Sequence, residues 1–110
     1  MKPIRKPNKR DILAFRHGIL NGRKSTDMCF VVGTALEGYL TYLEFECRLI
    51  EGEVSGRHHW WLKLPDKSII DATADQFRKP DGKKMPAVYI GQRPKWYRSI
   101  PVDTPKVSGA

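Results

Sequence analysis

One stretch constrains this chain more than any other. It runs His58-His59-Trp60-Trp61-Leu62-Lys63-Leu64, then Pro65-Asp66-Lys67-Ser68, then Ile69-Ile70-Asp71-Ala72-Thr73-Ala74-Asp75-Gln76-Phe77. Tryptophan, leucine and isoleucine favour a pleated, half-buried surface, and Pro-Asp-Lys-Ser is turn chemistry. The stretch therefore reads as a strand opening on histidine, a tight turn, and a second strand ending on aspartate. A histidine and a carboxylate on paired strands can hold each other in geometry. Such a pair gains chemical meaning only beside a nucleophile, and Cys29 lies upstream at the start of an apolar segment.

With 110 residues the chain has room for one domain and one core. Residues 1–10 form a basic, proline-containing arm, residues 11–100 the domain, and residues 101–110 a tail. No apolar run approaches the ~20 residues of a membrane span. Met1 to Arg10 is basic with no apolar run behind it, so no secretory leader is expected, and the expected setting is the cytoplasm. The net charge is +8, from 20 Lys and Arg against 12 Asp and Glu. The basic residues are divided among the N-terminal arm, Arg78–Lys84 and Arg93–Arg98, and no single helix carries a basic stripe. Nucleic acid is therefore a secondary expectation as partner. Cys29 and Cys47 would lie ~27 Å apart on one continuous helix at ~1.5 Å per residue, too far for a disulfide. Neither cysteine stands at zinc-like spacing from His17, His58 or His59, so no metal and no other cofactor is expected.

Taken in order, Asn8 or Asp11 caps a first helix running to about Lys24. Ser25-Thr26-Asp27 is a run of cap residues, and the segment from Met28 to about Glu46 repeats apolar residues at helical spacing: Cys29, Val32, Leu36, Tyr39, Leu40 and Leu43. It reads as the central helix, with Gly33 and Gly38 permitting close approach of a neighbour and Glu37, Glu44 and Glu46 on its wetter side. Arg48 to Ser55 alternates as a strand, and Ser55-Gly56-Arg57 turns the chain into the strand at His58. Ala72 to Phe77 suits a short helical turn. Pro86 to Ile90 is a short strand stopped by Gly91, and Pro94, Trp96 and Tyr97 supply an aromatic lid. The fold class is α+β, two helices and then three or four strands, with the helices segregated from an antiparallel sheet.

This order permits acyl-transfer chemistry. In the first turn of the central helix, unpaired N–H groups and the helix dipole favour a thiolate at Cys29. His59 is the base and Asp71 its orienting partner. Side chains alternate along a strand, so the loop length decides the outcome. If Leu64 pairs with Ser68, Asp71 shares the face of His59; if Leu64 pairs with Ile69, it does not. His58 points to the opposite face from His59 and is the weaker candidate. Each member alone has a plainer reading. Cys29 suits a small core residue, His59 a packed histidine beside tryptophan, and Asp71 a cap for the turn after it. Cys47 is read as structural.

These residues resemble the transglutaminase-like branch of the papain-like cysteine-protease superfamily. The likeness lies in Met28-Cys29 opening an apolar helix, the run His59 to Asp66, and Asp71-Ala72-Thr73-Ala74-Asp75-Gln76-Phe77, with Val88-Tyr89-Ile90-Gly91, Pro94 and Tyr97 as a similar ending. It spans roughly residues 25–97 and is like that of small bacterial and phage members. The resemblance implies a nucleophile helix on an antiparallel sheet, with Cys29, His59 and Asp71 acting on amide or ester carbonyls of a peptide, protein or small substrate. It implies no cofactor. Papain-type enzymes carry a glutamine shortly before the cysteine. Here Asn21 to Asp27 holds none, so Asn21 or backbone N–H groups near Met28 and Cys29 take the oxyanion role. Trp60, Trp61 and Gln76 complete the candidate support. The rival reading is an idle scaffold whose basic surface meets nucleic acid or an acidic protein, and a third is a purely structural protein.

Overall fold

The computed structural model describes residues 6–100, so residues 1–5 of the expected arm and the expected 101–110 tail lie outside the described residues. Two helices are followed by five strands, with one turn of 3-10 helix at Ala74–Gln76. Helix α1 spans Lys9–Leu20, so Lys9 and Arg10, expected in the arm, open the helix. Its N-cap is Asn8, whose Oδ1 accepts from the N–H of Arg10 (2.7 Å). It stops at Asn21, which turns left-handed at φ 48°. Ile12, Arg16 and Leu20 are its buried residues, spaced by four and thus on one face.

Helix α2 spans Cys29–Tyr42 and buries Val32, Gly33, Leu36 and Leu40. It is shorter than the expected Met28–Glu46. Glu44 turns left-handed at φ 68°, which ends the helical run ahead of Cys47. Glu37 also departs from the expected wet side: it is half-buried, and its Oε2 accepts the N–H of Leu49 (2.9 Å). A Cβ at Gly33 would stand 3.0 Å from Leu49 Cδ1, so glycine sets how closely α2 approaches the sheet. Gly38 faces open space. The helices meet through the stacked rings of Phe15 and Tyr39, 4.5 Å apart.

The strands are β1 (Arg48–Val54), β2 (Arg57–Lys63), β3 (Ile69–Asp71), β4 (Tyr89–Gly91) and β5 (Tyr97–Ser99). They form one antiparallel sheet in the order β4-β3-β2-β1-β5. Ser55 and Gly56, both at positive φ, join β1 to β2 in the type I′ geometry that matches strand twist. Leu64 N–H donates to the Ser68 carbonyl (2.9 Å), closing a three-residue loop whose last member, Lys67, is left-handed at φ 74°. That odd-length loop is one of the two registers the sequence allowed. Leu62 pairs with Ile70 and Lys63 with Ile69, which sets Asp71 across from Trp61 and on the face of His59.

The two sheet faces carry different cores. Leu62, Leu64 and Ile70 pack with Ile12, Val32, Leu36 and Leu40 of the helices. Val54, Trp61, Ile69 and Tyr97 pack on the other side with Ala74, Phe77 and Met85. Gly52 serves that second layer, since a Cβ there would collide with the Trp61 ring and the Arg98 carbonyl. Among the described residues no helix is long and apolar enough to cross a membrane.

Candidate active site

The candidate residues converge where β3 parts from β2. Their pairing covers Leu62–Ile70 and Lys63–Ile69 and stops there. N–H groups alternate sides along a strand, so Trp60 N–H points the same way as that of Leu64, toward β3. In this register its natural acceptor is the Ala72 carbonyl. That carbonyl instead accepts from Arg16 Nε (2.6 Å), reaching across from α1. Trp60 N–H meets the Cys29 thiol and is one of the groups that lower its pKa.

His59 is fully buried and Asp71 is 1% exposed. His59 Nε2 stands 2.8 Å from Asp71 Oδ2. The same oxygen accepts the Tyr97 hydroxyl (2.6 Å), and Asp71 Oδ1 accepts the N–H (3.0 Å) and hydroxyl (3.3 Å) of Thr73. Four donors thus hold one carboxylate in place. Burial alone would raise the Tyr97 hydroxyl pKa, and the adjacent Asp71 charge raises it further, so the phenol keeps its proton. The imidazole is walled by Phe77, edge-on at 4.6 Å, with Trp61 and Tyr97 beyond.

The other ring nitrogen, Nδ1, has no partner at full hydrogen-bond geometry. Nε2 is committed to Asp71, so the coupling between the imidazole and the Cys29 thiol runs through Nδ1. Burial would raise the half-buried Cys29 thiol. The His59 hydrogen bond and charge, with the N–H groups of Trp60 and Phe30, outweigh it and lower the pKa below its ordinary value. Burial would likewise depress His59. The hydrogen bond to Asp71 and the neighbouring thiol outweigh it and push His59 up to about 9. The thiol is lowered and the imidazole raised by each other, the mutual direction expected of a thiol–imidazole pair that shares a proton.

The N-terminus of α2 differs from the cap expected at Ser25, Thr26 or Asp27. Met28 is the N-cap and supplies no side-chain hydrogen bond. Asp27 is left-handed at φ 62°, and Met28 N–H donates to the Ser25 carbonyl (3.0 Å). The Met28 N–H is therefore engaged, which removes it from the expected oxyanion role. The first helical bond is that of Val32 to Met28 (2.9 Å), so the N–H groups of Cys29 and Phe30 head the helix unclaimed by any cap. Ser25 serves a different purpose. Its hydroxyl donates to Asp75 Oδ1 (2.5 Å), while Asp75 Oδ2 takes Arg16 Nη2 (2.6 Å). This Arg16–Asp75–Ser25 chain ties α1, the loop ahead of Cys29 and the segment after Asp71 into one unit.

The remaining candidates divide. Trp60 is half-buried, with its ring against Phe30 (5.0 Å) and His58 (5.7 Å), and it stands beside the thiol. Trp61 is buried behind His59. His58 is exposed and bonded to Glu51 (2.7 Å), away from Asp71. Asn21 is the exposed C-cap of α1, and among the described residues no hydrogen bond joins it to the site. Gln76 sits in the 3-10 turn with its Nε2 buried and unpartnered. Tyr97, Thr73 and Arg16 were not among the sequence candidates. A signal for Arg16 exists in the chain: it occupies the buried stripe of α1 between Ile12 and Leu20, where a cation requires a partner. Among the described residues no group of three or more His, Cys, Asp or Glu is arranged to hold a metal ion.

No family model, curated protein or solved structure matches this chain.

Proposed function

We propose that this protein is a thiol-dependent hydrolase or acyltransferase acting on an amide or ester carbonyl, built on a papain-like, transglutaminase-like core. One observation carries the reading. A buried imidazole is fixed through Nε2 by a fourfold-bonded carboxylate, while its free Nδ1 is coupled to a half-buried thiol at a helix start. The α+β layering, with Cys29 on a helix and His59 and Asp71 on adjoining strands, accords with the resemblance seen in the sequence.

In the proposed reaction the Cys29 thiolate attacks the carbonyl carbon and the C=O electron pair moves to oxygen. The N–H groups at the head of α2 stabilise that oxyanion. Collapse expels an amine or alkoxide, which takes the proton of the His59 imidazolium and leaves a thioester. Water or an acceptor amine then attacks. Neutral His59 accepts its proton, and the C–S bond breaks to return the thiolate. Asp71 holds the imidazole through both steps. Phe30 and Val31, each 50% exposed, and the Trp60 ring offer an apolar ledge beside the carbonyl. The cytoplasm, which keeps thiols reduced, is the setting that suits this chemistry.

The binding alternative draws on a hollow of about 870 Å³ on the Trp61 face, lined in part by Lys6, Lys63, Lys67 and Arg93. Two of those cations are already engaged, Lys6 by Asp66 (2.9 Å) and Arg93 by the Tyr97 carbonyl. The thiol reading is therefore preferred.

p-Nitrophenyl acetate tests it. The expected result is a burst of nitrophenol with acetyl recovered on Cys29, kept in Cys47→Ser and absent in Cys29→Ser. Equal acetylation of Cys29 and Cys47, with no burst, would contradict the proposal.

A further inference from the structure

A second hollow, of about 640 Å³, opens between the C-terminal end of α1 and the 3-10 turn. Ser25 and Thr26 form one rim, and Asp75 and Gln76 the facing one. Both rims lead to the candidate site. Ser25 lies one backbone turn before Met28-Cys29, and Gln76 precedes Phe77, whose ring lies 4.6 Å from His59.

The lining is unbalanced in charge: Arg16, Arg23, Lys24 and Lys84 face one carboxylate, Asp75. Asp75 is already bonded to Arg16 and Ser25. Among the described residues no ion pair joins Arg23, Lys24 or Lys84 to an acid. Gln76 adds an independent observation, a buried side-chain nitrogen with no acceptor. Three free cations around one concavity call for an anionic occupant, and the buried, unpartnered amide nitrogen of Gln76 belongs to a residue of the same rim.

We propose that this hollow is a substrate subsite that takes a carboxylate-bearing side chain of a peptide whose neighbouring carbonyl is presented to Cys29. The substrate role rests on the thiol acyl-transfer reading above. Peptide carboxylate fits better than a nucleic-acid backbone. The cations ring a single open hollow instead of forming a track, and Asp75 at its rim disfavours a long polyanion.

The test uses the full chain, 15N-labelled, with the Gln76 side-chain amide as reporter. The probes are N-acetyl-Glu-Glu-amide, N-acetyl-Lys-Lys-amide and a short oligothymidylate. The acidic dipeptide should shift the Gln76 amide saturably, the lysine dipeptide should not, and Cys29→Ser should bind the acidic dipeptide as the native chain does. Exposed Lys24 and Lys84 can be reversed without disturbing the core, and Lys24→Glu with Lys84→Glu should weaken binding at least tenfold. No Gln76 shift, an equal response to the lysine dipeptide, or a stronger response to oligothymidylate would overturn the proposal. The two readings fail separately. Loss of the Gln76 response with Cys29 still acetylated removes the subsite alone. A normal Gln76 response with an inert Cys29 leaves an anion site and removes its substrate role.

Discussion

One cysteine opens α2 and another lies beyond its C-terminal end, just ahead of β1; both are half-buried and free, and the two thiols are tuned in opposite directions. At Cys47, burial raises the pKa and the nearby Glu37 charge raises it further. At Cys29, burial pushes the same way, but His59 and two backbone N–H groups reverse it. Burial is therefore common to both, and the sign of the neighbouring charge decides. The N-terminal end is also where β3 parts from β2 and Trp60 N–H meets the thiol, whereas Cys47 lies past the helix end, with a long contact (4.0 Å) to the Glu37 carbonyl and a hydrogen bond with Thr41 that does not outweigh burial and the Glu37 charge.

Removing the partner imidazole should erase the contrast, and it is the largest effect expected. In His59→Ala the Cys29 thiol loses the group that lowers it, so alkylation near pH 6 should slow roughly tenfold for each unit of lowering that disappears. Turnover should fall by about 10²–10⁴-fold, the scale of a lost general base. The variant also strands Asp71 in the core, which costs about 3–5 kcal/mol for a broken buried pair and would show as a lower melting temperature. Unchanged labelling of Cys29 at pH 6 would place the cause elsewhere.

Asp71→Asn keeps the shape and removes the charge, so its effect should be smaller and should come through His59. The native imidazole titrates up to about 9, and the amide variant should titrate lower, followed by the His59 ring protons in NMR. The sign carries over to stability. A raised histidine pKa stabilises fully below the ordinary value near 6.5 and is lost as pH rises through about 9. Asp71→Asn should therefore narrow the stability difference between pH 6 and pH 10. A His59 titration that does not move would detach the imidazole from Asp71.

Tyr97→Phe should act least and in the opposite sense. Losing the hydroxyl that shares Asp71 Oδ2 leaves that oxygen to His59, so the His59 pKa should rise. Stability should drop by about 1.5–3 kcal/mol for a lost hydrogen bond to a charged acceptor, read by denaturant unfolding. A fall in the His59 pKa would mean that the phenol does not compete for Asp71.

Much of this arrangement was legible from residue chemistry. The alternation around Trp61, the turn residues at Pro65–Lys67 and the helical spacing from Cys29 to Leu40 point to the elements that form. The register hung on whether Leu64 paired with Ser68 or Ile69, and composition does not distinguish a three-residue from a four-residue loop; the left-handed Lys67 decides it. Ser25, Thr26 and Asp27 all suit an N-cap, so residue chemistry alone does not point to Met28. A tertiary partner, Asp75, claims Ser25 instead, and Asp27 takes positive φ. Tyr97 looked like part of a lid, since nothing local indicates that the far edge strand brings its hydroxyl to Asp71, 26 residues earlier. The Trp60 N–H is hidden for the same reason: it meets Cys29 where β3 has parted from β2, and the Ala72 carbonyl across from it takes Arg16 from the first helix.

The central claim, a thiol activated by its partner and not by its exposure, is tested most directly by one profile. Native protein is labelled with iodoacetamide across pH 5 to 10, and the modification of Cys29 and Cys47 is read peptide by peptide in the mass spectrometer. Cys29 should label below the ordinary thiol range near ~8.5, and Cys47 only above it. Coincident curves for the two cysteines, both rising near or above that value, would contradict it.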